Sequence, residues 1–301
     1  MEFADVNNGV RVLLGAVNMG LVMTSDGLTA VDTGLDKQAA KKLIHAAEDL
    51  GRPIIAIINT HAHADHFGGN DAVLAKYPQA LVYAPVHEAP MIRQPSFEPQ
   101  YLWQGAQPFS QLQNKFLLAP ASRVDNEFHP GEAWQIGETR FEAFGLPGHA
   151  HAQCGIRVNG VLFAADSYFG ANVTDKHGIP FMVDYHRTLQ SAQAAASIAA
   201  DWWVPGHGDP TRDPSADIEH LINRHQSAYE RVIRMVSESS ESGISLDDLT
   251  GQMCLQFQLK PANPGGWLLI RTTIAAYVSA AIDNREIEPA VEAGILKLRS
   301  L

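Results

Sequence analysis

The stretch Thr60–His66 reads Thr-His-Ala-His-Ala-Asp-His, so three histidines and one aspartate occupy four of seven positions. The run before it, Pro53–Asn59, is apolar and rich in β-branched residues, which predicts a buried strand. Gly68–Asn70 follows and opens a helix-like pattern that runs to Tyr77. The polar residues therefore lie on a turn at the carboxyl end of a strand. Imidazole and carboxylate groups this closely spaced indicate a metal site.

The chain on either side of this stretch alternates between predicted strands and helices, which favours an α/β fold with helices packed on sheet faces. Asp26-Gly27 is typical of a tight hairpin turn, and Asp36–Leu50 carries its apolar residues on one helical stripe that ends at Gly51. The other strands predicted in the first half are Val10–Val17, Leu21–Ser25, Leu28–Asp32 and Ala80–Ala84.

The segment 85–130 loses this periodicity and is rich in proline, glutamine and aromatic residues. A stretch of this length without clear regular structure is often functional. Its aromatic residues favour a lid that packs over a pocket. The alternative is a peripheral helical insertion with a small core of its own.

Three later strands also run into ligand-type residues. Arg140–Leu146 leads to His149, Val161–Ala165 leads to Asp166, and Trp202–Val204 leads to His207. Glycines beside the two histidines permit turns that direct the rings back to a shared point. The candidate ligands are thus His61, His63, Asp65, His66, His149, Asp166 and His207. Seven ligands exceed the need of one tetrahedral zinc and suit two metal ions about 3.5–4 Å apart with a shared carboxylate.

From residue 213 onwards the pattern becomes helical. A long amphipathic helix follows Asp213-Pro214, and Ser237–Gly243 reads as a linker. Ser245 and Asp248 have the spacing of a capping box, and another helix and a short ribbon follow at Gly265–Ala281 and Glu286–Leu298. We therefore divide the chain into a main domain, 1–212, and a small helical appendage, 213–301.

Composition excludes some partners. The chain has 301 residues with 22 basic and 33 acidic side chains, a formal net charge of −11, which disfavours nucleic acid and anionic membranes. We expect no signal peptide and find no apolar run as long as a membrane span. Cys154 and Cys254 fit reduced thiols better than a disulfide, so we expect a cytoplasmic protein. The apolar faces of the tail leave open packing on the main domain or on a second subunit of a homo-oligomer.

These residues carry a resemblance over about residues 8–212. The motif beginning at His61, followed by Gly148-His149, Asp166, Pro205-Gly206-His207 and the upstream Asp32-Thr33-Gly34, is similar to the metallo-β-lactamase-fold superfamily. The resemblance implies a four-layer αβ/βα sandwich with two metals at one edge. It also implies a glyoxalase II-like ligand set with three groups: His61, His63 and His149 on one metal, Asp65, His66 and His207 on the other, and Asp166 as the bridge. The tail looks like the winged-helix-like C-terminal domain of one hydrolase branch.

Two bound cations would lower the pKa of a bridging water, and the resulting hydroxide would attack an acyl carbon, with Asp65 as the catalytic residue that orients it. Zinc is the favoured metal, while the ligand types also accept iron, manganese or nickel. Outer-shell or substrate-contacting candidates are Asp32, His151, Tyr168 and Tyr185. Ordinary capping, surface or core roles stay open for each of them. Some lactone-hydrolysing relatives have a tyrosine one position beyond Tyr168, where this chain has Phe169.

The predicted function is hydrolysis of a small ester, thioester or lactone by a dinuclear metal site. An aspartate at position 166 argues against an antibiotic β-lactamase, because those relatives usually lack it. The first alternative is a phosphodiesterase or ribonuclease. Residues 213–301 hold 12 acidic and 8 basic side chains, net −4, whereas a nucleic-acid-binding tail should be basic. A second alternative is an iron-dependent oxidoreductase of the same fold. A scaffold with a decayed site is disfavoured because all seven ligands are present.

Overall fold

A computed structural model describes residues 3–7, 9–239 and 243–301 of the chain, the side chain of Phe3 excepted. Two β-sheets make up most of the main domain. The first has seven strands that follow one another across the sheet: β1 Phe3–Asn7, β2 Val10–Leu13, β3 Met19–Met23, β4 Leu28–Val31, β5 Ile54–Ile58, β6 Leu81–Pro85 and β7 Asn126–Phe128. The second has five: β8 Ala133–Ile136, β9 Thr139–Gly145, β10 Cys154–Val158, β11 Val161–Ala165 and β12 Trp202–Pro205.

Short helices connect these strands, and longer ones follow them. The helices are α1 Lys37–Asp49, α2 Ala64–Phe67, α3 Asn70–Lys76, α4 Ala89–Arg93, α5 Phe97–Leu102, α6 Ala171–His177, α7 Tyr185–Ser197, α8 Ser215–Ser237, α9 Leu246–Gln256 and α10 Pro264–Asp283, with a 3-10 turn at Ser110–Leu112. A hairpin of β13 Ile287–Glu292 and β14 Ile295–Ser300 follows α10, as the sequence predicts. The pattern did not predict α6, and the strand predicted for Val10–Val17 ends at Leu13.

Strand direction decides where the polar turns lie. β4 to β7 run parallel to one another, so the residues after β4 and β5, which include Asp32 and the Thr60–His66 turn, leave the first sheet at one edge. In the second sheet β9 and β11 are both antiparallel to β10, and β12 is parallel to β11. The ends of β9, β11 and β12 therefore share an edge as well, and His149, Asp166 and His207 follow those ends.

Three apolar clusters separate four layers. The central one draws side chains from both sheets, among them Ile58 of β5. On the outer face of the first sheet, α1 and α3 contribute Leu43 and Val73. On the outer face of the second, α7 and α8 contribute Ala192 and Leu221. The order helix, sheet, sheet, helix confirms the αβ/βα sandwich.

The segment 85–130 contains α4, α5 and the 3-10 turn, and it ends in β7, which pairs with β6. Leu102, Leu112 and Leu117 of this insert form a small buried cluster with Leu268 of α10. The insert is partly helical, as the second interpretation predicts, but it shares its apolar core with the tail. Movement of the segment as a lid stays a prediction.

The tail packs α8, α9, α10 and the final hairpin around a cluster that includes Val232, Leu249 and Tyr277. Ser245 caps α9 by accepting a hydrogen bond from the backbone N–H of Asp248 at 3.1 Å, as predicted. Of the predicted linker, residues 240–242 lie outside the described residues.

By length and composition α10 could cross a membrane, with a mean hydropathy of 1.3, although the sequence analysis found no run of that kind. Half of that stretch is buried inside the protein, and α10 packs against α8 and α9. Such burial is typical of a core helix in a folded domain.

Candidate metal centre

All seven predicted ligands lie together where the two sheet edges meet. Their side chains form three overlapping groups whose donor atoms lie within 4.8 Å of one another: His61, His63 and His149; His61, His66 and Asp166; Asp65, His66 and His207. The first and third groups match the two ligand sets that the resemblance implies. The roles of these residues as ligands stay a prediction, now with the geometry that it requires.

In the first group, the nitrogen atoms face one another at short range. His63 Nδ1 lies 3.1 Å from His61 Nε2 and 2.9 Å from His149 Nε2. In the third group, His207 Nε2 lies 3.4 Å from Asp65 Oδ2. Each group can thus direct its donor atoms at a single point.

Asp166 lies between the two groups. Its Oδ2 is 3.2 Å from His149 Nε2 and 3.3 Å from His207 Nε2, and its Oδ1 is 3.3 Å from His66 Nε2. One carboxylate therefore contacts rings from both groups, which is the placement that a bridging ligand needs.

The donor set fits metal ions better than a hydrogen-bonded network. His66 Nε2 and Asp166 Oδ1 are buried without a hydrogen-bond partner in the described part of the chain, because their 3.3 Å approach lacks hydrogen-bond geometry. Leaving such buried polar atoms unpaired costs about 1–3 kcal/mol each. A cation beside them would satisfy both atoms, and also the lone pairs that meet in the first group.

A chain of hydrogen bonds orients one histidine of each group. Asp32, 4 % exposed, accepts hydrogen bonds from Thr60 Oγ1 and His66 Nδ1, both at 2.8 Å. Since the Thr60 hydroxyl proton goes to Asp32, Thr60 Oγ1 accepts from His61 Nδ1 at 3.1 Å. Both rings are thereby held with a proton on Nδ1 and with Nε2 directed at the ligand cluster, which is how outer contacts tune metal ligands.

Backbone carbonyls orient two more rings. His149 Nδ1 donates to the carbonyl of Phe181 at 3.0 Å, and His207 Nδ1 donates to the carbonyl of Ala16 at 2.5 Å. The buried Glu88 holds the ligand loops together, since it accepts the backbone N–H groups of Ala62 at 3.0 Å and Ala152 at 2.8 Å.

The turns that carry these ligands adopt uncommon backbone conformations. Asp32 and Ala165, the residue before Asp166, have φ of 57° and 51°, in the left-handed region that costs a non-glycine residue about 1 kcal/mol or more. A Cβ at Gly206 would lie 2.0 Å from Asp166 Oδ1. Glycine is therefore required beside His207, as the sequence predicts, although the reason is a close approach.

Charge divides the cluster in two. Burial lowers the pKa of His63 to about 3, with help from His149, and burial also lowers the pKa of His61 and His149. At His207, burial acts in the same direction, but Asp166 and Asp65 outweigh it and raise the pKa to about 10. Three rings are thus neutral and ready to ligate, whereas His207 must exchange its proton for the metal.

Burial would lower the pKa of His66 as well, but the carboxylates of Asp166, Asp32 and Asp65 raise it well above the usual value. The positive charges of His207 and His66 in turn hold the pKa of Asp166 well below its usual range despite burial. Without metal, His66 and His207 are therefore protonated beside these carboxylates, and we expect metal binding to release the protons.

The cluster opens into a cavity of about 890 Å³, a size typical of small-molecule sites. Its walls come from three parts of the chain: Glu98, Phe116 and Leu117 of the insert; the segment 175–181, which covers the end of α6 and the residues after it; and residues 257–273 of the tail. Phe169 and Phe181 pack their rings against His149, at 5.8 and 5.5 Å between centroids.

Three of the outer candidates lie away from the cavity. Tyr168 is fully buried in the cluster beneath α7, and its hydroxyl has no hydrogen-bond partner among the described residues. Tyr185 stacks on Tyr229 at 4.4 Å, within the core of the tail. His151 is exposed. None of the three lines the cavity, and a substrate contact by any of them stays a prediction.

Sequence reasoning missed Glu88, Glu98 and the carbonyl of Phe181. A charged residue in the stretch 84–89, which is otherwise mostly apolar, is a signal that could have indicated Glu88. Glu98 and Phe181 lie in irregular sequence, so their positions depend on packing that no local pattern reports.

Comparisons with known proteins agree with this geometry. A sequence profile of the metallo-beta-lactamase superfamily matches residues 12–207. The protein YobT of Bacillus subtilis is 26 % identical over 69 % of this chain and 90 % of its own length. A hydroxyacylglutathione hydrolase of Synechococcus is 40 % identical, over 21 % of this chain and 25 % of that enzyme.

The fold also matches a solved structure along the whole chain. A beta-lactamase domain protein from Burkholderia ambifaria superposes with a TM-score of 0.73 at 18 % identity, covering 100 % of this chain and 94 % of that one. With the profile match over most of the main domain and all seven ligand positions in place, the chain belongs to the metallo-β-lactamase superfamily.

Proposed function

We propose that the protein is a dinuclear metal-dependent hydrolase that cleaves a small ester, thioester or lactone. One observation carries the proposal: a cluster of seven ligand-type side chains, with Asp166 between its halves, opens into a cavity that also has apolar walls. Such a cavity suits the acyl part of a small substrate. Partial similarity to hydroxyacylglutathione hydrolases supports an acyl carbon as the point of attack.

The seven ligand-type residues would hold two metal ions. His61, His63 and His149 would hold one metal ion, Asp65, His66 and His207 the other, and Asp166 both. When bound, two ions, with zinc favoured, supply a water of lowered pKa and polarise the carbonyl oxygen. Phe169 and Phe181 pack against the ring of His149.

Asp65 is the proposed catalytic residue. Its side chain is 35 % exposed and lines the cavity, whereas that of Asp166 is 3 % exposed. Its Oδ2 faces His207, so its Oδ1 is left to orient the attacking water and accept the proton that the water loses.

The test is turnover by metal-replete protein on panels of thioesters, lactones and esters, alongside phosphodiesters. We expect hydrolysis of at least one carboxylic substrate class, loss of activity on chelation and recovery on adding zinc. Asp65→Asn should lose most of the activity. Asp71→Asn, an exposed change on α3, is the matched control and should keep it.

Two results would overturn the proposal. Turnover of phosphodiesters alone would favour the nuclease alternative. Purified protein that retains iron and consumes oxygen, with no hydrolysis of any panel, would favour the oxidoreductase alternative.

A further inference from the structure

Glu98 is a buried carboxyl group that the proposed chemistry does not use. It lies on α5, is 6 % exposed and lines the cavity together with His63 and Asp65. Within residues 3–7, 9–239 and 243–301, no group donates a hydrogen bond to its carboxyl oxygens and no cation pairs with them. Its backbone N–H is satisfied by the carbonyl of Pro95 at 3.2 Å.

Its surroundings make this position unfavourable for a carboxylate. Burial raises the pKa of Glu98 well above its usual value, and the negative charges of Asp65 and Glu88 raise it further. A buried polar group without a partner destabilises the folded protein. An apolar side chain would suit the site better if its only role were packing, since Pro99 and Leu102 on the same helix are buried and apolar.

The cations that line the cavity do not pair with Glu98 in the described part of the chain. Lys176 and Lys260 are among them, and both are exposed. Phe116, Leu117 and Leu269 line the same cavity. A ligand that carries a cation can supply the missing partner, and the negative charges of Asp65 and Glu88 add to the attraction.

We propose that Glu98 determines specificity by binding a protonated amine of the substrate, while the ester or thioester carbonyl of the same molecule lies at the histidine and aspartate cluster. The inference rests on the proposed hydrolase function and names the substrate class: an acyl compound with an ammonium group on its acyl chain.

The experiment uses full-length, zinc-loaded protein and thioesters of one thiol. In one series the acyl chain ends in an ammonium group at increasing distance from the carbonyl, and in the other a methyl group replaces it. Wild type should prefer the ammonium substrate at one chain length by about tenfold or more in kcat/KM, the loss expected for a charge-assisted hydrogen bond. Glu98→Gln should remove this preference, mainly through KM, and leave turnover of the methyl series within about twofold.

Glu219→Gln is the matched control, since Glu219 is exposed on α8, and it should keep the preference. The melting temperature separates recognition from structure. Because Glu98 is buried without a partner, Glu98→Gln should melt at the same temperature as wild type or higher. A lower melting temperature with equal losses on both series would show a structural role and overturn the inference.

The two proposals fail in different ways. Equal turnover of both series by wild type, unchanged in Glu98→Gln, would overturn the role of Glu98 and leave the hydrolase intact. If neither series is turned over, the hydrolase proposal is wrong for thioesters, and binding decides the inference. Calorimetry with the free ω-amino acids should then show binding to wild type that is about tenfold weaker in Glu98→Gln. Equal affinity would refute it.

Discussion

Replacing Asp32 by asparagine tests whether one buried carboxylate sets the protonation of both halves of the metal site. Asparagine is nearly isosteric and tolerates the left-handed backbone at this position, where φ is 57°. Its carbonyl oxygen can still accept the N–H of Thr60, which Asp32 Oδ1 accepts at 2.9 Å. The change is thus confined to Oδ2, which becomes a donor.

That one atom reverses two tautomers. At position 32 the amide would direct N–H groups at Thr60 Oγ1 and His66 Nδ1, each 2.8 Å from the oxygen that it replaces. His66 must then accept at Nδ1 and carry its proton on Nε2. Thr60 must donate to His61, which moves the proton of that ring to Nε2 as well. Both Nε2 atoms lose the lone pair that faces the cluster.

Loss of an outer contact of this kind typically lowers metal affinity about 10–100-fold, equivalent to about 1.4–2.7 kcal/mol. Since Asp32 contacts one histidine directly and the other through Thr60, we expect the upper part of that range. Competition with a chromophoric zinc chelator measures the affinity, and nitrogen chemical shifts of the imidazoles report the tautomers. Asp26→Asn is the control, because Asn-Gly suits the same hairpin turn.

The reasoning would be refuted if Asp32→Asn bound both equivalents of zinc as tightly as wild type. A weaker affinity with unchanged tautomers would also contradict it, because the loss would then come from charge alone.

Three further predictions follow from the same structure. Gly206→Ala should displace Asp166 and lower the metal content, which elemental analysis measures. The control is Gly251→Ala on α9, where an added Cβ meets nothing within 4 Å. It should leave the metal content unchanged and stabilise the protein by up to about 1 kcal/mol in thermal melts. Removal of metal by chelation should lower the melting temperature, since an ion present at 100 times its Kd contributes about 2.7 kcal/mol, and zinc should restore it. Burial lowers the pKa of His225 to about 3. The contribution of the neutral ring to the free energy of unfolding is therefore full above about pH 6.5 and falls as the pH drops towards 3. Denaturant unfolding should show a decrease on the order of 4 kcal/mol across that window, and His225→Gln should make this decrease smaller.

Local pattern predicted an α/β fold and the strand ends that carry the candidate ligands, whereas the four-layer sandwich was implied by the family resemblance. Apolar runs such as Pro53–Asn59 and Val161–Ala165 mark buried strands, and parallel strands place the residues that follow them at a common edge. Four strand ends of this kind supply every candidate ligand. The packing of the two sheets on each other then brings His61 near His207.

Prediction failed where long-range packing decides. Tyr168 is two residues from Asp166, yet it lies in the core beneath α7, because the left-handed turn at Ala165 changes the direction of the chain. The helix α6 is short, and its sequence carries no apolar stripe. Glu98 reaches the cavity only because the insert packs on α10 of the tail, a contact between distant parts of the chain that no local pattern contains.

Different parts of the sequence therefore position the ligand cluster and the cavity walls. The ligands lie on strand ends, where the sheet register limits movement, and tight contacts such as that of Gly206 leave little freedom. The walls come from the insert, the end of α6 with the segment after it, and the tail, and the insert meets the tail through side-chain packing. A change in those walls alters which substrate fits while the sheets hold the ligands in place, so specificity can change without loss of the metal site. Glu98 is a wall residue in this sense: it lies near Asp65, but its position depends on helix packing rather than on the sheet.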